Sequence, residues 1–219
     1  MVADKAGFIA SAANRDGAIE THRLYASVMR AVARYARLRA FRVFARHVGG
    51  GTQTAASDLR LRLLREPEAL SLCVEPALDL APSKIRAAYA RGDLCVGAFD
   101  GAEVLGYCWF AFRAAPHMDR AWLDFPSDVV YTYKSFVRPM FRGRGIASAM
   151  YRFADAAAMD RGRKRAIICV ESHNWPSIAA ARRGGFSEAG YAAYVGARRV
   201  RSWCSREAAA LGLRFFIPS

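Results

Sequence analysis

The sequence predicts a mixed α/β or α+β fold, because segments with strand composition alternate with segments of helical periodicity along most of the chain. Residues 131–137 have the β-branched and aromatic content of a strand, and residues 166–170 form a second apolar run of this kind. A glycine-rich turn between them opens into a helix predicted over about 144–161, and a shorter helix is predicted over about 176–183. A strand that leads through a glycine-rich loop into a helix N-terminus is an arrangement that binds phosphate.

The region before this motif predicts a hairpin preceded by helices. Residues 94–99 and 104–112 have strand composition and are joined by Asp100-Gly101, a dipeptide typical of tight hairpin turns. Leucines at helical spacing predict a helix over 58–65 that stops before Pro67. The remaining predicted elements are a short strand at 70–74, a helix at about 82–91, a loop at 113–128, and strands at 186–195, 200–203 and 213–217.

The N-terminal part predicts a basic amphipathic helix. Leu24, Val28, Val32 and Tyr35 share one helical face, and arginines occupy the opposite face. One interpretation is an ordinary surface helix with its apolar face on the core, and the other is a helix that docks on a membrane surface or a protein partner. Residues 39–46 carry arginine on all sides, which fits either a helix that is basic all round or a short extended segment.

A glycine-rich stretch at 49–54 predicts a flexible break in the chain. We therefore expect an N-terminal extension of residues 1–68, which contains the basic helix, and a main domain of residues 69–219.

The net charge of +14 comes almost entirely from arginine, since the chain has only four lysines, at 5, 84, 134 and 164. Arginine favours planar, bidentate anions such as phosphate and carboxylate, although solvated arginines with no ligand explain the same count. Five cysteines without CxxC spacing indicate neither a disulfide framework nor a zinc site, and we expect no metal. The absence of a signal-like or membrane-spanning run predicts a cytoplasmic protein, with contact to a membrane surface left open.

The central motif has the chemistry of a binding site for an extended, phosphate-bearing ligand. Pro139 cannot donate to a sheet, and a strand that diverges from its neighbour offers unpaired backbone groups to an amide-containing chain such as pantetheine. Gly143 and Gly145 remove side chains where backbone amides approach an anion, and Arg142 and Arg144 can add charged contacts. A glycine-containing helix start with solvated arginines is the simpler alternative.

Residues 137–147, Val-Arg-Pro-Met-Phe-Arg-Gly-Arg-Gly-Ile-Ala, resemble the acyl-CoA signature of the GCN5-related N-acetyltransferases, or GNAT superfamily. The family pattern Arg/Gln-x-x-Gly-x-Gly/Ala matches Arg142, Gly145 and Ala147. Residues 174–186, which begin with Asn174 and end in Gly-Phe, resemble the family's second motif. The resemblance covers residues 70–200 and does not extend to residues 1–68.

This resemblance implies a mixed, mostly antiparallel sheet that is open between its fourth and fifth strands, here the strands at 131–137 and 166–170. It also implies acetyl-CoA or another acyl-CoA as cosubstrate. The resemblance implies that backbone groups contact the thioester and pantetheine at Ser135, Phe136 and Val137. It implies that the loop and helix start surround the pyrophosphate, with Arg142, Gly143, Arg144, Gly145, Ile146, Ala147 and Ser148. It also implies that Asn174 contacts the pantetheine arm. Ser177 either caps its helix or touches the cofactor.

The catalytic residues are less clearly marked. Many family members place a tyrosine acid four or five residues before the Gly-Phe, but those positions are Ala181 and Ala180 here. Glu171, at the end of its predicted strand, is our candidate base acting through water, and Tyr133 is the candidate acid among four tyrosines at 131, 133, 191 and 194. A solvated strand-end carboxylate is the alternative for Glu171.

The resulting hypothesis is an acyltransferase, most simply an N-acetyltransferase, that moves an acyl group from coenzyme A to a small-molecule or peptide amine. Aromatic residues at 109, 110, 112, 122, 125 and 133 fit either a hydrophobic acceptor, a longer acyl chain or simple core packing. One rival uses an acidic acyl carrier protein that docks near residues 23–46. Another is a non-enzymatic binder of nucleic acid or a membrane surface.

Overall fold

The computed structural model describes residues 21–35, 38–49, 59–118, 120–196 and 200–218. The sequence before residue 21 and nearly all of the predicted break at 49–54 lie outside these ranges.

Helices and strands alternate through the described chain. The helices are α1 (residues 21–35), α2 (Glu66–Ser71), α3 (Pro82–Ala90), α4 (Ile146–Phe153), α5 (Asp155–Met159), α6 (Trp175–Arg183) and α7 (Arg206–Ala209), with short 3-10 turns at Leu72–Val74, Pro76–Leu78 and Pro139–Phe141. The strands are β1 (Leu38–His47), β2 (Arg60–Leu64), β3 (Leu94–Asp100), β4 (Glu103–Ala111), β5 (Ala115–Pro116), β6 (Trp122–Asp124), β7 (Val129–Val137), β8 (Arg165–Glu171), β9 (Ser187–Val195), β10 (Arg201–Cys204) and β11 (Arg214–Phe216).

Eight strands form the main sheet in the order β10-β9-β1-β8-β7-β4-β3-β2, and β11-β6-β5 form a small second sheet. Every neighbouring pair is antiparallel except β7 and β8, which are parallel. This confirms the mixed, mostly antiparallel sheet with flanking helices that the family resemblance implies.

The main sheet separates two faces. On one face α4 and α6 bury Ile146, Met150 and Ile178 against the strands. On the other face the small sheet and α7 cover β1, β7 and β8, and α2 and α3 cover β3 and β4. We call these two faces of the sheet the α4 side and the α3 side.

Residues 38–47 form a central strand, which settles the alternative left open for the arginine-rich segment. β1 pairs with β8 on one edge and with β9 on the other, and Phe41, Val43 and Phe44 are almost completely buried. Aromatic and β-branched residues fit this pleated, two-sided burial. β1 and β2 both lie inside the predicted extension of residues 1–68, so that part of the chain is not separate from the main sheet.

Three other predictions from periodicity were wrong. The helix predicted at 58–65 is strand β2, because its residues pair with β3 along the sheet edge. The strand predicted at 70–74 is helical, and Pro67 lies in the first turn of α2 instead of ending a helix. The loop predicted at 113–128 contains the paired strands β5 and β6.

The apolar face predicted for α1 does not lie on the core. Leu24, Val28 and Tyr35 are 68%, 51% and 81% exposed, whereas Ala26 is buried. A neighbouring stripe makes the contacts: the Tyr25 hydroxyl lies 3.0 Å from Ser172 Oγ. The interpretation of α1 as an ordinary surface helix with these residues inward is therefore wrong, because the helix instead directs Tyr25 to Ser172 and stacks His22 on Trp175 of α6, with 4.2 Å between the ring centres.

Candidate functional site

The main sheet opens between β7 and β8. Their parallel pairing runs from Val129–Arg165 to Thr132–Ile168 and then stops, although both strands continue. At the same point the register between β7 and β4 shifts, so that Tyr133 is an extra residue on β7. A β-bulge bends and twists its strand, which accounts for the divergence. The predicted opening between these two strands is confirmed, and it begins at the bulge, several residues before Pro139.

A cavity of about 560 Å³ passes through this opening and is lined from both faces of the sheet. Ser135, Ile168 and Val170 line it on the α4 side, where the two aliphatic residues pack in the α4–α6 core. Tyr133, Trp109 and Cys169 line it on the α3 side. A ligand that enters from one face can therefore meet a ligand that enters from the other.

The glycine-rich loop leads directly into α4 and fits an anion. Gly143 and Gly145 have φ angles of +83° and +77°, a left-handed conformation that glycine adopts without strain. Gly145 is the N-cap of α4 and supplies no side-chain cap, so the first N–H groups of the helix point into the loop. The buried Ser148 hydroxyl donates to the Gly145 carbonyl at 2.8 Å and closes the turn. Backbone N–H groups and the helix dipole together suit a phosphate here.

The two arginines of the loop lie beside it. Arg142 Nε donates to the Val137 carbonyl at 3.0 Å, and the Arg144 guanidinium lies 5.3 Å from the centre of the Phe141 ring. Neither arginine is locked in a carboxylate pair among the described residues. Both therefore remain suitable for charged contacts with a bound anion.

The end of β7 presents backbone groups to the open side of the sheet. Arg138 N donates to the Leu105 carbonyl of β4 at 2.9 Å, so by strand alternation Ser135 and Val137 direct their backbone groups away from β4. The close approach of the strands requires Gly106, because a Cβ there would collide with the Phe136 carbonyl oxygen. Of the three predicted backbone contacts, Ser135 and Val137 face the opening and Phe136 faces β4.

The start of α6 lies at the far wall of the opening. Asn174 is the N-cap of α6, and its Oδ1 accepts from Ser177 N at 3.2 Å. The helix cap is thus Asn174, and the predicted capping role of Ser177 was wrong. Both residues line the cavity, and the Asn174 Nδ2 group is the part of that side chain able to donate to a ligand.

Glu171 lies at the end of β8 and lines the cavity. Its carboxylate accepts from Arg39 at 2.8 Å and lies 3.9 Å from His173 Nε2. Because Glu171 pairs with Phe41 across β1 and β8, its side chain belongs to the α3 side of the sheet. It is therefore placed to contact a ligand that enters from that side.

The Tyr133 hydroxyl already has a buried partner. It donates to Asp93 Oδ2 at 3.0 Å and lies 3.5 Å from Arg91, which pairs with Asp93 at 2.6 Å. Burial raises the pKa of Tyr133 and also raises the pKa of Asp93. Tyr133 lines the cavity, but its hydroxyl is committed to this buried cluster.

Tyr151 is a site residue that the sequence does not reveal. Its Oη lies 3.0 Å from the Ser135 Oγ in the opening, and its ring packs edge-on against Phe186. The space around Tyr151 depends on small residues of α6, since a Cβ at Gly184 would lie 2.9 Å from the tyrosine ring. A hydroxyl from α4 thus contacts Ser135, which lines the cavity, whereas the sequence pattern led us to expect a tyrosine from α6. No local motif marks Tyr151, because only the packing of α4 against β7 brings it there.

His117 is the second residue that sequence reasoning missed. Its Nδ1 lies 2.5 Å from the hydroxyl of the buried Tyr131, and the residue lines the cavity on the α3 side. Burial and the nearby Arg39 charge lower the pKa of His117 to about 3. The ring is therefore neutral near pH 7.

The described residues contain no group of three or more His, Cys, Asp or Glu side chains that could hold a metal ion. No described helix is long and apolar enough to cross a membrane.

Comparison with known proteins matches residues 61–186 to the model of the Acetyltransferase (GNAT) family. A comparison with curated protein sequences finds no match. A crystal structure of an acetyltransferase from the GNAT family of Novosphingobium aromaticivorans is similar, with a TM-score of 0.50, 16% identity, and coverage of 72% of this chain and 63% of that one.

A GCN5-related N-acetyltransferase from Sphaerobacter thermophilus is similar, with a TM-score of 0.51 and 18% identity, over 81% of this chain and 56% of that chain. The present chain therefore spans less than two thirds of both solved relatives. At these identities the likeness concerns the fold.

Proposed function

The chain belongs to the acetyltransferase (GNAT) family, and on that premise we propose that it transfers an acyl group, most simply acetyl, from coenzyme A to an amine by direct attack. The observation that carries the proposal is the opening of the sheet at the Tyr133 bulge, on the strand that leads along the chain into the uncapped glycine loop of α4. Acyl-CoA supplies the activated thioester, and the free thiol of coenzyme A is released. Residues from both faces of the sheet line the cavity, which supports entry of donor and acceptor from opposite sides.

The residues on the α4 side suit the donor. The loop from Gly143 to Ser148 offers backbone N–H groups to the pyrophosphate, with Arg142 and Arg144 beside it. The exposed backbone edge of Ser135 and Val137 offers strand-like hydrogen bonds to the pantetheine amides, and Phe136 contributes by holding β7 to β4. Asn174 and Ser177 close the opposite wall.

Glu171 is our proposed base on the α3 side. The acceptor amine must lose a proton to attack, and the Glu171 carboxylate lies at the opening, where it can accept that proton directly or through water. Arg39 fixes the orientation of the carboxylate at 2.8 Å. Tyr133 contributes to the cavity wall beside Glu171 and is not our proposed acid, because its hydroxyl already donates to Asp93.

Ser135 is our proposed donor to the leaving sulfur on the α4 side, and Tyr151 is the residue that orients it. When the C–N bond forms and the C–S bond breaks, negative charge collects on the sulfur until it takes up the proton that the amine releases. The Ser135 hydroxyl lines the opening and can donate to that sulfur, while the Tyr151 hydroxyl, 3.0 Å away, orients it. Burial raises the pKa of Tyr151, which keeps this hydroxyl protonated. This pair would replace the tyrosine absent from α6.

A longer acyl chain, and a carrier protein or membrane that docks at α1, remain predictions. The exposed Leu24, Val28 and Tyr35 are compatible with such docking but name no partner.

The donor site is tested by thermal unfolding with acetyl-CoA, CoA and longer acyl-CoAs. A ligand at about 100 times its dissociation constant stabilises by about 2.7 kcal/mol, which raises the Tm of a chain of this size by roughly 5–10 °C. Gly145→Glu places a carboxylate in the anion loop and should abolish the shift. Gly145→Gln, of equal size and equal backbone strain, should retain part of it.

Gly162→Glu is the control, because it places the same carboxylate at another glycine with a left-handed conformation. Gly162 has a φ of +70° and follows α5. The Gly162→Glu variant should keep the full shift. Failure of every CoA species to stabilise the wild type, or equal losses in the Glu and Gln variants at position 145, would contradict the proposed donor site.

A further inference from the structure

The α3 side of the cavity is walled by apolar and aromatic side chains. Trp109 is only 3% exposed and packs edge-on against Tyr89 at 5.3 Å between ring centres. Trp122 is held beneath the Arg91 guanidinium, 5.3 Å from the ring centre. Further apolar lining residues on this side are Leu80, Ala81, Ile85, Ala87, Pro116 and Met118. Side chains fixed in this way form a preformed wall for an apolar group.

The carboxylates of this side are already paired. Asp79 lies 2.9 Å from Lys134, and Glu171 lies 2.8 Å from Arg39. Among the described lining residues, Arg91 is paired with Asp93 and Lys134 with Asp79, which leaves Lys84 as a cation without an ion pair to a carboxylate. A second ammonium group on an acceptor would therefore lose its hydration without gaining an unpaired carboxylate, which costs free energy.

On the premise of the proposed amine acylation, we propose that the acceptor is a hydrophobic monoamine, a primary amine on an apolar or aromatic body without a second positive charge. Glu171 receives the reacting amine at the opening, and Trp109 and Trp122 contact the apolar body. Acceptors with several ammonium groups, such as polyamines, are disfavoured, because both carboxylates among the described lining residues are already paired.

The proposal is tested with a matched pair of acceptors, n-hexylamine and 1,5-diaminopentane. The two molecules have the same number of non-hydrogen atoms and differ by one terminal methyl group against one ammonium. Thiol release from acetyl-CoA, with mass spectrometry of the acetylated amine, gives kcat/KM for each. We expect hexylamine to be favoured by about 100-fold or more, because an ammonium buried without a partner is strongly unfavourable. Equal values, a preference for the diamine, or turnover of neither amine overturns the proposal.

Variants locate the apolar contact. Trp122→Ala should lower kcat/KM for hexylamine about 10-fold while the Kd of acetyl-CoA stays at the wild-type value. Trp203→Ala is the matched control, since Trp203 is 54% exposed on β10 and does not line the cavity. An unchanged kcat/KM in Trp122→Ala contradicts the placement of the amine body.

Thermal stabilisation by acetyl-CoA separates the two proposals. If acetyl-CoA stabilises the protein but hexylamine has no advantage, the monoamine inference fails and the donor site stands. If no CoA species binds, the proposed function fails, and the inference fails with it.

Discussion

The buried His117 makes stability depend on pH above the range in which ordinary carboxylates titrate. Its pKa is about 3 in the folded chain, because burial and the Arg39 charge disfavour the imidazolium, while an unfolded histidine has a pKa of about 6.5. Between these values the unfolded chain binds the extra proton, so stability is present above pH 6.5 and is lost as the pH falls toward 3. From pH 7 to pH 5 the loss is about 2 kcal/mol.

His117→Asn tests this reasoning, because the asparagine oxygen can still accept from the Tyr131 hydroxyl but cannot titrate. The measurement is the free energy of unfolding in urea at pH 7 and at pH 5 for both proteins. We expect the wild type to lose about 2 kcal/mol more than the variant over this interval. His47→Asn, at the exposed end of β1, should behave as the wild type does. Equal losses in the wild type and in His117→Asn would refute the account of a buried neutral imidazole.

Three further substitutions test the catalytic and structural assignments. Glu171→Gln should lower kcat/KM about 100-fold without changing the Kd of acetyl-CoA, and a flat pH–rate profile in both proteins would argue against a base at this position. Ser135→Ala should lower kcat about 100-fold and Tyr151→Phe about 10-fold, with the double variant no slower than Ser135→Ala; additive losses would mean that the tyrosine does not act through the serine. Asp155→Ala removes the carboxylate that lies 2.6 Å from the nearly buried Arg46 guanidinium, and should lower the free energy of unfolding in urea by about 3 kcal/mol. A decrease of less than about 1 kcal/mol would show that solvent screens this ion pair.

The donor half of the site is predictable from sequence because its chemistry is local. Gly143 and Gly145 are needed for backbone conformations within one turn, and the strand before them and the helix after them show in composition and periodicity. The opening of the sheet is implied by the family resemblance of the same segment, whereas the bulge at Tyr133 that produces it leaves no sequence signal.

The rest of the site depends on contacts between distant segments. The arginine-rich sequence of β1 fits either a helix or a strand. The position of β1 between β8 and β9 brings Arg39 to Glu171, which is 132 residues further along the chain. Tyr151 reaches Ser135 only because α4 packs on β7. The rotation of α1 is likewise fixed by Tyr25 at Ser172, against the hydrophobic pattern of Leu24 and Val28. Helical periodicity cannot report such partners.

Hydrogen–deuterium exchange with and without saturating acetyl-CoA tests the central claim most directly, because it reports where the donor binds. Protection is expected in peptides that cover residues 133–148, which contain the end of β7 and the glycine loop, and residues 171–178 at the start of α6. The strand pair β2–β3 lies at the far edge of the sheet and should exchange equally in both states. Binding without protection at 133–148, or with protection confined to other segments, would contradict a donor site in the β7–β8 opening.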